Sequence, residues 1–363
     1  MASRRGLLAQ VAAAGLASTA FAKLAAAAPV RPSAAGRTPG VVQTVLGPLE
    51  ASKLGFTLPH EHVCASSGGF WQVWPEYFGG RAAFIDKAVG KLKAAKAGGV
   101  DTIVDLTTPD LGRDIRLLQE VSRRSGVHIV ACTGIWHDPS LSFSARTHDE
   151  LRDFFIKEIE QGIEGTPIRA GVIKVATDAD GATPTLEKIL RAAARASKAT
   201  GTPIETHSYA PKRGGEAQAD IFESEGLDPR TVSIGHSDDS LEMDYLTGLL
   251  KRGFMIGMDH MSQGIVEGAP PPEAAPYLWQ RRSDRIKQLV DAGFANRMLL
   301  SNDWMLGLSV FATGTLETLD KLNPDGMLFN TRKVIPYLKQ IGVTDAAIRL
   351  MTVENARRFF GGG

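Results

Sequence analysis

Cysteine is nearly absent: Cys64 and Cys132 are the only two in 363 residues. Two thiols cannot build a disulfide scaffold. Each stands in or beside an apolar run, so both read as buried thiols. An excess of either charge is missing as well, with Lys+Arg 41 against Asp+Glu 40. That balance argues against nucleic acid as a partner and limits any membrane contact to a peripheral one, because both surfaces recruit basic patches. No Gly-x-Gly-x-x-Gly turn follows the first strand run, which disfavours an open doubly wound dinucleotide fold. No apolar run is long enough for a membrane span, the N-terminal one being short and mostly alanine.

That N-terminal run has another reading. Ser3-Arg4-Arg5-Gly6-Leu7-Leu8 opens it, an Ala/Leu-rich stretch follows, and Ala26-Ala27-Ala28 offers small residues for cleavage. This is the layout of a secretory signal over residues 1–28, and the paired arginines point to the twin-arginine route. The expected destination is the periplasm, with inner-membrane association as the furthest membrane contact. A Pro/Gly-rich linker covers 29–40, and a single domain is expected over 41–363.

Within that domain, apolar residues at 43% suffice for a sizeable core. After a small strand at Val41–Leu46, one unit recurs: a short β-branched run, a loop, then an amphipathic helix closed by glycine. The runs fall at 54–60, 100–106, 127–133, 170–176, 202–206, 231–235, 254–258 and 298–302. They are apolar on both faces, as strands of a helix-covered parallel sheet must be. Thr147-His148-Asp149-Glu150 forms a capping box, Thr183-Pro184 starts another helix, and Ile115, Leu118 and Val121 make a stripe ending at Gly126. Eight strands alternating with helices predict an α/β fold, a (β/α)8 TIM barrel.

A barrel of this kind carries its site at the C-terminal ends of the strands. The first strand ends Pro59-His60-Glu61-His62. Residues two apart in a strand share a face, so His60 and His62 converge while Glu61 turns away. Lys174 sits deep in the fourth run. The later runs end at His207, at His236-Ser237-Asp238-Asp239, at Asp259-His260 and at Ser301-Asn302-Asp303. Five of the eight histidines therefore gather at one rim. Imidazoles with a carboxylate suit Zn²⁺, Mn²⁺, Co²⁺ or Fe²⁺. One catalytic ion would leave ligands over, whereas two ions about 3.5–4 Å apart use them all. Two cations need an anionic bridge. Lys174 is then either a neutral amine that adds carbon dioxide to form a carbamate, or an ammonium paired with an acid in the barrel.

These residues bring a family with them. Gly55-Phe56-Thr57-Leu58-Pro59-His60-Glu61-His62, Arg169-Ala170-Gly171-Val172-Ile173-Lys174-Val175-Ala176-Thr177, Ile234-Gly235-His236-Ser237-Asp238-Asp239, Ser301-Asn302-Asp303-Trp304 and Asn323-Pro324-Asp325-Gly326-Met327 strongly resemble the bacterial phosphotriesterases of the amidohydrolase superfamily. The likeness runs from about Val42 to Phe360. It implies a homodimer with two divalent ions, zinc by preference with cobalt or manganese accepted. His60, His62 and Asp303 would hold the more buried ion, and His207 and His236 the more exposed one. Lys174 would bridge them as N6-carboxylysine, together with a hydroxide that attacks the phosphorus of an aryl dialkyl phosphate such as paraoxon. Asp303 would take the proton and pass it through His260 and Asp239 to solvent.

The resemblance also implies an apolar substrate pocket of Ala65, Leu111, Trp136, His137, Met305, Leu308 and Phe311. His137 stands where the family commonly has phenylalanine, and Phe311 where it has tyrosine. The segment 264–277, with Pro270-Pro271-Pro272, differs from the relatives. Related barrels hydrolyse lactones and resemble one another in carrying Tyr and Arg where this chain has Trp136 and His260; that pair favours the triesterase side. A binding protein without turnover is the alternative of another class, and it predicts no need for Lys174 or metal.

Overall fold

The computed structural model describes residues 37–262 and 279–362. The expected signal segment, most of the linker and the 264–277 segment lie outside the described residues. The chain opens with an antiparallel pair, β1 (Val41–Thr44) and β2 (Gly47–Glu50), in which Gln43 faces Pro48. The expected single strand over 41–46 is thus a hairpin. Pro48 can sit in it because the two-stranded sheet consists of edges, where a missing N–H breaks no ladder.

Eight parallel strands follow: β3 (Thr57–Glu61), β4 (Thr102–Asp105), β5 (His128–Ile135), β6 (Val172–Ala176), β7 (Ile204–His207), β8 (Val232–Ile234), β9 (Met255–Met258) and β10 (Met298–Leu300). They pair in sequence order, each with its successor. The ring closes just beyond the ends of β3 and β10, where the Asp303 N–H donates to the His60 carbonyl (3.0 Å) and the His62 N–H to the Trp304 carbonyl (2.8 Å). This is the expected (β/α)8 barrel. Strands β3, β4 and β6 are buried at every residue, which accounts for their apolar runs on both faces.

The helices stop and start where their caps say. Thr147 and Glu150 bond each other's backbone N–H at the head of helix His148–Glu160. Asp114 caps Ile115–Ser125, whose Ile115, Leu118 and Val121 are buried against the strands, and Gly126 ends it at a φ of 75°. Both cysteines are free and buried. One glycine bears on the site directly. A Cβ on Gly134 of β5 would overlap the Lys174 carbonyl, so glycine lets β6 come close there. Among the described residues, no helix is long and apolar enough to cross a membrane.

Candidate metal centre at the barrel mouth

β3 delivers His60 and His62 on one face, as strand alternation requires, while Glu61 points to the other side. Each imidazole is held by a partner at Nδ1. His60 Nδ1 donates to Asp259 Oδ2 at 2.9 Å, and His62 Nδ1 lies 2.9 Å from Thr107 Oγ1. Because the Asp259 carboxylate only accepts, His60 carries its proton on Nδ1 and turns the Nε2 lone pair inward. His236 is held in the same way: its backbone N–H (2.7 Å) and Nδ1 (2.9 Å) both donate to Asp259 Oδ1. One carboxylate therefore fixes imidazoles from two strands. The His236 Nε2 faces His207 Nδ1 at 2.8 Å.

Asp303 sits among them, with Oδ1 3.2 Å from His62 Nε2 and Oδ2 3.1 Å from His260 Nε2. The other nitrogen of His260 is 2.7 Å from Asp239 Oδ2. Asp303 and His236 both have left-handed backbone, with φ of 49° and 56°. Non-glycine residues rarely adopt it, at a cost of order 1–3 kcal/mol, and such strain clusters at functional sites.

Lys174 is 1% exposed, and its Nζ lies 2.7 Å from His60 Nε2 and 3.4 Å from the Thr206 carbonyl. Among the described residues no carboxylate is seen within ion-pair distance of it, although Asp303, Asp259 and Glu205 act on it electrostatically. Burial lowers its pKa against their pull. A neutral amine is the form a carbamate needs.

Charge sorts the site further. Burial pushes His60 down to about 3, and it lowers His207 and His236 as well. Burial also opposes charge on His260, but the Asp239 and Asp303 carboxylates outweigh it and hold that pKa well above the ordinary value. Hence burial favours the neutral form of three imidazoles, and the carboxylates favour the charged form of the fourth. The neutral ones are in the protonation state that binds metal.

Donor chemistry and spacing fit divalent ions. His60, His62 and Asp303 place one ligand atom each within 4.8 Å of one another, and so do His236, His260 and Asp303. A third such group, His60 with His236 and Asp259, is an orienting network instead, since Asp259 meets both rings on their Nδ1 side. A cavity of about 160 Å³ opens above these groups, with Ala65, Leu111, Trp136, Met305, Leu308 and Phe311 as its apolar wall. His137 does not line it. Its ring packs on Trp136 at 3.8 Å, and its Nε2 faces Asp178 at 3.5 Å. A larger cavity of about 360 Å³, around Gln43 and Arg169, has no histidine among its described lining residues.

Sequence reading singled out neither Asp259 as an orienter nor Arg282. The Arg282 guanidinium, 1% exposed, donates to Asp239 Oδ1 at 2.6 Å and to the His260 carbonyl. An acid just before a strand-end histidine was the available signal for Asp259; nothing local marks Arg282.

The buried neutral imidazoles give a pH prediction. The folded-state pKa of His60 lies near 3, below the ordinary 6.5, so the unfolded chain binds the extra proton between those values. Stability from this group is complete above pH 6.5 and declines as the pH falls toward 3, by about 2 kcal/mol at pH 5. The thermal midpoint of metal-free protein should drop steeply below about pH 6. A midpoint flat down to about pH 4 would mean that the rings are not held neutral.

A closed parallel barrel that gathers imidazoles, a carboxylate and a buried lysine at its C-terminal mouth defines the class of metal-dependent barrel hydrolases. A family model described as "Phosphotriesterase family" matches residues 40–360. The chain is 36% identical over 329 residues to a "Phosphotriesterase homology protein" of Mycobacterium tuberculosis, covering 88% of this chain and 97% of that protein. It is 35% identical over 315 residues to an "Aryldialkylphosphatase" of Saccharolobus solfataricus, covering 86% and 96%. The solved structure of the phosphotriesterase from Mycobacterium tuberculosis superposes with a TM-score of 0.80, covering 88% of this chain and 98% of that one. This chain belongs to the phosphotriesterase family.

Proposed function

We propose that the chain hydrolyses neutral organophosphate triesters, aryl dialkyl phosphates among them. The observation that carries this reading is the continuous chain Asp303–His260–Asp239, with contacts of 3.1 and 2.7 Å, running outward from the candidate ligands beside an apolar cavity. Two divalent ions, zinc by preference, held by His60, His62 and Asp303 and by His207 and His236 with carbamylated Lys174 between them, would supply Lewis acidity that activates water and polarises the phosphoryl oxygen.

The protein's own groups do the rest. Trp136, Leu308 and Phe311 seat a neutral ester and keep bulk water from it. The Asp303 carboxylate orients the attacking water and takes its proton. The proton passes on along the Asp303–His260–Asp239 chain, whose carboxylates on both sides favour a charged ring between them, and solvent at the mouth removes it. The oxygen adds to phosphorus as the bond to the aryl oxygen breaks, and a low-pKa aryloxide departs without a proton donor. Arg282 keeps Asp239 in place throughout.

The same reading includes a homodimer, supported by the family resemblance and by the exposed apolar pair Val73 and Trp74 (84% and 53% exposed). It also includes export by the twin-arginine route to the periplasm, supported by Arg4-Arg5 and the alanine-rich run behind them.

The test compares kcat/KM for paraoxon with that for a long-chain acyl-homoserine lactone on purified, metal-loaded protein. Paraoxon is expected to be the better substrate, because Trp136 and His260 stand where lactone-cleaving relatives carry Tyr and Arg. A higher value for the lactone overturns the triester assignment, and activity on neither ester favours a binding role.

A further inference from the structure

Glu61 lies between two candidate ligands but on the opposite side of the strand, and it is fully buried. Its carboxylate forks around one short segment. Oε1 accepts from Ser301 Oγ (2.8 Å), from the Asn302 N–H (2.9 Å) and from Asn302 Nδ2 (3.1 Å); Oε2 accepts from the Trp304 N–H (2.8 Å). These partners lie on either side of Asp303 in the chain. Asp303 itself arches between them, with its left-handed φ of 49° and its N–H on the His60 carbonyl.

Barrel closure alone does not call for such a group. The β4–β5 and β6–β7 seams are made by backbone ladders, and all four partners of Glu61 are neutral. Burying a carboxylate without a cation is expensive compared with an apolar side chain of similar size. What the fork provides is two acceptor oxygens held in one plane, gripping the chain before and after a single residue. Burial raises the Glu61 pKa to about 8 against the pull of these four donors, and glutamine would set an amide N–H against one of them whichever way it is turned.

We infer that Glu61 is a positioning residue for the reaction: from the far side of β3 it holds the arch that aims the Asp303 carboxylate at His62 and His260. Asp303 meets those two rings through different oxygens, at 3.2 and 3.1 Å, so a small rotation of the arch disturbs both contacts. The inference rests on the role given to Asp303 above.

The test uses metal-loaded Glu61→Gln and Asn302→Ala, with kcat and KM for paraoxon, metal stoichiometry, the rate of metal release to a chelator, and the thermal midpoint. Glu61→Gln is expected to lose roughly 10- to 100-fold in kcat with little change in KM, since misplacement of a reacting group by an ångström has effects of that size. Metal release should be faster. Asn302→Ala removes one of the four contacts and should lose less, roughly threefold to tenfold. It keeps the question open to measurement if Glu61→Gln does not fold.

A purely structural Glu61 would lower the thermal midpoint and leave kcat of the folded enzyme and the metal release rate at wild-type values. That result in both variants overturns the inference, as does a loss confined to KM. Asp303→Asn run in parallel separates the two readings. If it is inactive while Glu61→Gln and Asn302→Ala turn over normally, only the positioning role fails. If Asp303→Asn is itself near normal, the role of Asp303 fails first.

Discussion

Lys174→Ala is expected to lower turnover by roughly 10³-fold or more, about 4 kcal/mol, and to leave the protein short of metal. Lys174 is buried, carries no carboxylate partner among the described residues and points its Nζ at the inward nitrogen of His60, 2.7 Å away. An ammonium there would repel any cation held by His60. A carbamate is the opposite: a carboxylate on a long stem, able to serve two cations at once. Burial lowers the amine's pKa, which favours the nucleophilic neutral form that adds to carbon dioxide. Intact wild-type protein should therefore show a mass increment equal to one carbon dioxide, and metal loading should speed up with added bicarbonate. Small carboxylates added to the alanine variant should restore part of its activity by occupying the vacated space. Normal turnover and full metal in Lys174→Ala would remove the bridge and the two-ion scheme with it.

The second large effect is expected at Asp303. Asp303→Asn keeps the shape and one acceptor oxygen, but it removes the negative charge that His62 and His260 face. The amide cannot take the water's proton. A loss of kcat of roughly 10²- to 10⁴-fold is expected, the range in which general bases contribute. KM and metal content should change far less, because His60, His62, His207 and His236 remain. Burial works against the Asp303 carboxylate, but the three imidazoles around it hold its pKa well below the usual range. It is thus ionised under all ordinary assay conditions. Near-normal turnover in this variant would take Asp303 out of the proton path.

Much of this centre was legible because strand periodicity is a local code. The alternation His60-Glu61-His62 fixes which side chains share a face, and the ends of β7, β8, β9 and β10 mark His207, His236, His260 and Asp303 as rim residues. Two of the other three histidines were separable for the same reason: His128 begins β5 at the opposite end and His148 starts a helix. His137 was not, for it follows β5 and was expected in the pocket, yet its ring turns toward Asp178. What could not be read is what brings distant segments together. Asp259 holds His60 across 199 residues of chain, and Arg282 reaches Asp239 from a helix 43 residues later. No spacing rule encodes such contacts. The hairpin at 41–50 was half read because Pro48 looks like a strand breaker until its strand is known to be an edge.

The seam between the first and last barrel strands has a temporal consequence. Glu61 and Trp304 meet across 243 residues, and the carboxylate asked to accept the proton lies on the later side of that seam. A ribosome-bound chain that has emerged as far as β9 already owns four of the candidate ligand imidazoles, yet has no Asp303 to complete them. Loop closure over such a distance is slow. The centre is therefore completed late, when the strand that shuts the ring is delivered.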